Sequence, residues 1–166
     1  MMDLNYIQTP LRNQTIEEQI KDFYLLNNKE RTYQHVLGVA MAAEKLALQY
    51  QEDIRACILA ALLHDISAVI TPQDMMKIAN ELQWQLDSAE KIYPFLLHQK
   101  ISALIAYEYF QIRNLSILKA IESHTTLRSN PSKLDMIIFI ADKLAWDQPG
   151  EPPFKKNIEM ALNDSL

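Results

Sequence analysis

Only two of the 166 residues are glycine, Gly38 and Gly150. A P-loop or a G-x-G-x-x-G turn needs several glycines within a few residues, so that backbone amides can close around a phosphate; neither can be built here. The single cysteine, Cys57, excludes an internal disulfide and a thiolate cluster for structural zinc. It lies in the apolar run ACILAALL, where a small buried hydrophobe is the simplest reading and a catalytic thiol the alternative. Positive charge is also scarce: 16 Lys and Arg face 21 Asp and Glu, for a net charge of −5. The basic residues are scattered, so no surface that tracks a nucleic acid backbone is expected. No uncharged apolar run approaches the roughly 20 residues that span a bilayer, and the N-terminal stretch MMDLNYIQTPLRNQTIEEQ lacks a basic region followed by an apolar core. These absences predict a cytoplasmic protein without nucleic acid or membrane partners.

What is present reads as one all-α domain over residues 1–166, a helical bundle large enough to bury a core without staples. The apolar share is 49% and the charged share 22%, ordinary for a globular chain. Apolar residues recur at i, i+3 and i+4, with most prolines between segments. Thr15 and Glu18 form a capping box before a first helix whose Ile16, Ile20, Phe23, Tyr24 and Leu26 share a side. A long helix follows over RTYQHVLGVAMAAEKLALQY. Asp53 caps IRACILAALLHDI, apolar nearly all round and therefore the central helix. Thr71 and Pro72 open QDMMKIANELQ, with Met75, Met76, Ile78 and Leu82 expected in the core. Pro94 precedes a helix over FLLHQKISALIAYEYF, Asn114 caps LSILKAIESHT, and Ser132 with Asp135 starts KLDMIIFIADKLAW. Residues 147–166 read as a proline-rich hinge and a short amphipathic helix.

The four histidines, His35, His64, His98 and His124, all lie in helical, mostly apolar settings, and the last three sit at or beside predicted helix ends. Helix ends of a bundle converge on shared surfaces, where a polar pocket forms without puncturing the core. Asp65 and Asp142 occupy equally apolar settings. A buried carboxylate needs a partner, and a cation held with imidazoles is one of the few that compensates it. Each residue alone has a structural explanation; six together point to a metal centre. Imidazole and carboxylate donors without thiolates suit iron, manganese or zinc.

The order His35, His64 with Asp65, His98, His124, Asp142 resembles the HD-domain metal-dependent phosphohydrolases, and closer detail is similar to the YqeK-type branch. The segments RTYQHVLGVAMAAEKLA, ALLHDIS, FLLHQKISALIA, AIESHTTLR and IIFIADKLAW carry the likeness over residues 31–146. The resemblance implies an all-helical fold, two divalent ions with iron foremost, and symmetrical hydrolysis of diadenosine tetraphosphate to two ADP. It implies that His35, His64, Asp65 and Asp142 hold one ion, and that His98 and His124 hold the second with Asp65 bridging. This chain departs from the branch's pattern at Ser67, Ala68, Gln99, Leu127 and Ala145, all neighbours of ligand positions rather than ligands.

Two such ions would acidify a shared water and orient a phosphate for in-line attack, with Asp65 central. Further positive charge must come from side chains. Arg128, four residues past His124, and Lys143, beside Asp142, are the expected catalytic and substrate-binding cations. Arg31, one turn before His35, is a third substrate-binding one. Trp84, Trp146 and Phe154 offer rings for a base, with core or oligomer packing the simpler reading. The competing functions are a di-metal phosphatase or phosphodiesterase on another small nucleotide, and a catalytically weak nucleotide sensor. The sequence leaves the oligomeric state open, a two-fold homodimer being a common form for helical domains with exposed apolar stripes.

Overall fold

Scarce glycine leaves its mark on how the helices end. The computed structural model describes residues 6–147 and 150–166; Met1–Asn5, and Gln148 with Pro149 of the expected hinge, lie outside the described residues. Among the described residues six that are not glycine adopt positive φ: Asn28, Gln51, Gln83, Gln111, Leu127 and Asn130. Chains usually turn out of a helix on a left-handed glycine. Here Gln51, at φ 54°, closes the longest helix while its N–H bonds the Ala47 carbonyl.

The described residues form helices and no strand. They are α1 (Ile16–Leu26), α2 (Glu30–Tyr50), α3 (Ile54–Leu63), α4 (Pro72–Glu81), α5 (Ser88–Ile92), α6 (His98–Glu108), α7 (Leu115–Glu122), α8 (Lys133–Leu144) and α9 (Lys155–Asp164). The expected caps hold. Thr15 and Glu18 complete a capping box, as do Ser132 and Asp135. Asp53, Thr71 and Asn114 each accept an orphan N–H at the start of α3, α4 and α7.

Three details differ from the sequence reading. The helix expected from Phe95 begins only at His98, because Pro94–Leu97 forms a tighter 3-10 turn. Helix α5 was not anticipated, although Asp87 and Glu90 make a capping box for it. Leu82, expected in the core, is 47% exposed, and Leu26, on the apolar side of α1, is 42% exposed. Leu82 is the C-cap of α4, where the helical face is lost, and Leu26 is the last residue of α1.

Helix α3 is the hub. It packs on α1, α2, α6, α7 and α8, and α2 also lies along α8. Ala56, Cys57, Ala60 and Ala61 on α3 meet a neighbour α2 that buries Ala40, Ala43 and Ala47, small residues that let backbones approach. Ile137 and Ile138 of α8 are fully buried, each contributing roughly 2 kcal/mol. Tyr24 of α1 is sealed below, its hydroxyl donating to the Leu62 carbonyl. Helix α9 touches α8, and the Tyr50 hydroxyl donates to the Leu162 carbonyl. No single helix among the described residues is long and apolar enough to cross a membrane.

Candidate metal centre

Five segments converge at one end of the hub. Helix α2 carries His35 in its interior, His64 is the C-cap of α3 with Asp65 next, and His98 is the first residue of α6. His124 follows the end of α7, and Asp142 lies in the last turn of α8.

Three of the histidines are built alike. Nδ1–H of His64 donates to Ala61 O at 2.7 Å, that of His98 to Phe95 O at 2.8 Å, and that of His124 to Ile121 O at 2.8 Å. A carbonyl only accepts, so each Nδ1 is protonated and each neutral ring presents a bare Nε2 lone pair. These carbonyls, three residues upstream in each case, are the outer partners that orient ligating imidazoles. The lone pairs all point inward. His98 Nε2 and His124 Nε2 lie 3.2 Å apart, and His64 Nε2 is buried with no hydrogen-bond partner.

The carboxylates sit among these atoms. Asp65 Oδ2 is 3.5 Å from His64 Nε2, while its Oδ1 is 3.4 Å from His124 Nε2 and 3.9 Å from His98 Nε2. Asp142 Oδ1 is 3.2 Å from His35 Nε2 and 3.6 Å from His64 Nε2; its Oδ2 accepts from Lys143 Nζ at 2.7 Å. Two sets have donor atoms mutually within 4.8 Å: His35, His64 and Asp142, and His64, Asp65 and His124. Lone pairs facing lone pairs and carboxylates need a cation between them, so the donor set fits divalent metal.

The same arrangement moves the protonation equilibria. Burial opposes charge on His64, but Asp65 and Asp142 outweigh it and raise its pKa to about 9. Burial and the neighbouring His124 lower His98 to about 4. Burial works against ionised Asp65, yet His64, His124 and His98 hold it well below the usual carboxylate range. Asp142 is held low likewise, its burial outweighed by His35, His64 and Lys143.

The expected cations divide. Lys143 is at the centre through Asp142. Arg31 is largely exposed, pairs with Asp147 at 3.5 Å, and lines a polar chamber of about 290 Å³ with Thr32, His35 and Asp65. Arg128 turns elsewhere: its Nε donates to Asp135 Oδ2 at 2.8 Å. Asp135 is fully buried and caps α8 with Ser132, so the ion pair holds the guanidinium at the start of that helix. Cys57 is buried and its thiol is pushed up to about 12, first by burial and then by Glu52 and Asp53, which leaves the packing role.

Two residues at the site escaped the sequence reading. The Thr125 hydroxyl lies 3.1 Å from His98 Nε2. Gln99, noted only as a departure, is buried, and its Oε1 accepts from Thr125 N at 2.8 Å and Thr126 N at 3.3 Å. It thus clamps the turn that carries His124. Adjacency to His124 and to His98 was the only local signal for Thr125 and Gln99; that Gln99 reaches the Thr125 and Thr126 N–H groups is visible only in the fold.

An all-helical bundle with buried imidazoles and carboxylates turned inward is the class that this fold and centre define. The family model of the HD domain matches residues 32–147, and the chain belongs to the HD domain family, whose members are metal-dependent. It is 33% identical over 140 residues to a symmetrical bis(5'-nucleosyl)-tetraphosphatase of Halalkalibacterium halodurans, covering 82% of this chain and 74% of that one. A Lactococcus lactis subsp. cremoris relative, described as an uncharacterized protein in the pepC 5' region, is 40% identical over 107 residues. The match covers 64% of this chain and 55% of that protein. A probable nicotinate-nucleotide adenylyltransferase/Ap4A hydrolase of Mycoplasma genitalium is 31% identical over 116 residues, 69% of this chain but 32% of its own length. Among solved structures, a predicted HD superfamily hydrolase involved in NAD metabolism from Clostridium acetobutylicum superposes with a TM-score of 0.79 at 30% identity. That match covers 89% of this chain and 79% of the other.

Proposed function

We propose that the protein is a di-metal phosphohydrolase that splits diadenosine tetraphosphate symmetrically into two ADP. The observation that carries the reading is Asp65: its Oδ2 lies 3.5 Å from His64 Nε2 and its Oδ1 3.4 Å and 3.9 Å from the Nε2 atoms of His124 and His98, so one carboxylate reaches both groups of imidazoles. Its relatives named as symmetrical tetraphosphatases support the substrate.

His35, His64, Asp65 and Asp142 would hold one ion and Asp65, His98 and His124 the other, iron being our assignment with manganese or zinc as substitutes. When bound, such ions supply Lewis acidity and a water acidic enough to attack at neutral pH. The backbone carbonyls behind His64, His98 and His124 hold a proton on each Nδ1 and so aim each Nε2 inward. In the reaction, water oxygen bonds to one of the two central phosphorus atoms, and the bond from that phosphorus to the central bridging oxygen breaks. That oxygen leaves with the other half, so water and one substrate yield two ADP and release protons to solvent. Lys143 and Arg31 contribute positive charge where phosphoryl oxygens gather it. Such a substrate is consistent with a cytoplasmic enzyme.

Chromatography of products after anaerobic incubation of iron- or manganese-loaded protein with diadenosine tetraphosphate tests this, with His64→Ala as the control. ADP as sole nucleotide product, absent in the control, is expected. ATP with AMP, or no turnover by metal-loaded protein, would overturn symmetrical cleavage.

A further inference from the structure

The imidazoles of the metal centre form a row with two ends. Ring centroids step from His35 to His64 at 5.4 Å, on to His124 at 4.7 Å and on to His98 at 5.0 Å. At the His98 end the row gains one more ring. Phe95 lies 4.9 Å from His98 with 8° between the planes, and it is 58% exposed. A phenyl ring with one face against an imidazole and more than half its surface in water has its other face free.

At the His35 end the polar chamber opens into a groove of about 1040 Å³ between α2 and the residues that follow α8. The two spaces share Arg31, His35 and Asp147, so they are continuous. Trp146 stands in this groove, 38% exposed, opposite Met41, itself 62% exposed. Gly38 and Ala145 line this groove side by side.

Large rings ordinarily go into the core, where each stabilises the fold by roughly 2 kcal/mol or more. Phe23 does so in this chain, and Trp84 packs partly buried against the core. Phe95 and Trp146 instead stand partly in water at opposite ends of a charged, buried centre. A flat apolar group joined to phosphate is the ligand that such a pairing suits, because base stacking on an aromatic ring adds affinity whatever the base's hydrogen-bonding edge. The geometry points to Phe95 and Trp146 as the two base platforms of the site. A dinucleoside polyphosphate lies with its phosphates along the row of imidazoles, one base on each ring, and the bond to be cut falls midway. This placement rests on the phosphohydrolase reading above and adds to it the two ends of the substrate.

The test is binding of ADP and of inorganic tripolyphosphate to manganese-loaded protein by calorimetry, for the parent chain, Phe95→Ala, Trp146→Ala and the double variant. The alanine at position 95 keeps the backbone carbonyl that orients His98, and metal content is measured alongside. Each single variant is expected to weaken ADP by about 10-fold and the double variant further, with tripolyphosphate and metal unchanged. In a Trp84→Phe background, ADP is expected to quench the fluorescence of Trp146, and Phe95→Trp to retain affinity. Equal ADP affinity in parent and variants, or a parallel loss of tripolyphosphate or metal, would overturn the platforms. Diadenosine tetraphosphate turnover is read separately: ring-dependent ADP binding without turnover leaves the platforms standing and removes the hydrolase reading alone.

Discussion

His98 and His124 meet through their Nε2 atoms at 3.2 Å, although each ring has committed its only proton to a backbone carbonyl on the far side. Two lone pairs at that distance repel unless a positive charge lies between them or one ring gains a second proton. The fold pins both rings in this opposition through α6 and the end of α7, so it stores a demand for a cation.

Chelation should therefore destabilise the protein. A ligand at about 1,000 times its dissociation constant stabilises a fold by about 4 kcal/mol. For a chain of this size that amounts to roughly 8 to 16 °C in Tm. Thermal scans before and after dialysis against EDTA should show a fall of this order, reversed by manganese or iron. His64→Ala, which loses a ligand of one of the two proposed ions, should already melt low and respond less to both.

Metal affinity should rise with pH. With His64 lifted to about 9, the metal-free protein carries a proton there at neutral pH, and metal must displace it. Below about pH 9 affinity should gain up to tenfold per pH unit, and calorimetry in buffers of different ionisation enthalpy should detect the released proton. The metal-free fold behaves oppositely. Its His64 contribution is complete below the unfolded value near 6.5 and is lost as pH rises through about 9, so the Tm in EDTA should fall over that range.

Gln99→Ala should weaken the turn that bears His124. Two backbone N–H groups, of Thr125 and Thr126, lose their acceptor, which costs about 2 kcal/mol. Urea unfolding measures the stability loss, and metal content should fall with it because His124 and Thr125 are no longer held. In the same turn Leu127 stands at φ 56°, a conformation that strains a leucine by about 1 kcal/mol or more. Leu127→Gly should for that reason cost less than about 1 kcal/mol, unlike Leu→Gly at a helical core position.

Arg128→Ala should act on stability and not on phosphate. The guanidinium is a partner of the fully buried Asp135, and its removal leaves an under-compensated carboxylate at the start of α8, a loss of about 2 kcal/mol. Metal content and KM should change little. A large rise in KM at unchanged Tm would return Arg128 to the phosphate site.

Much of this protein is determined by short-range chemistry and so is legible along the chain. The starts of α1, α3, α4, α7 and α8 are set by capping side chains two or three residues from the N–H groups that they satisfy, and apolar periodicity marks which helix lies in the middle. The six metal-centre residues stand out because imidazoles and carboxylates are rare in such apolar surroundings. What needed the tertiary structure is the set of partnerships between distant segments. Sequence proximity to His124 made Arg128 an expected phosphate-binding cation, and the fold pairs its guanidinium with the buried Asp135, a partner that no local spacing announces. Gln99 reaches across from α6 to hold Thr125, and Phe95 extends the row of rings only because Pro94–Leu97 winds as a tight turn. Local spacing decides where helices begin; which of their polar side chains find one another depends on how the helices pack.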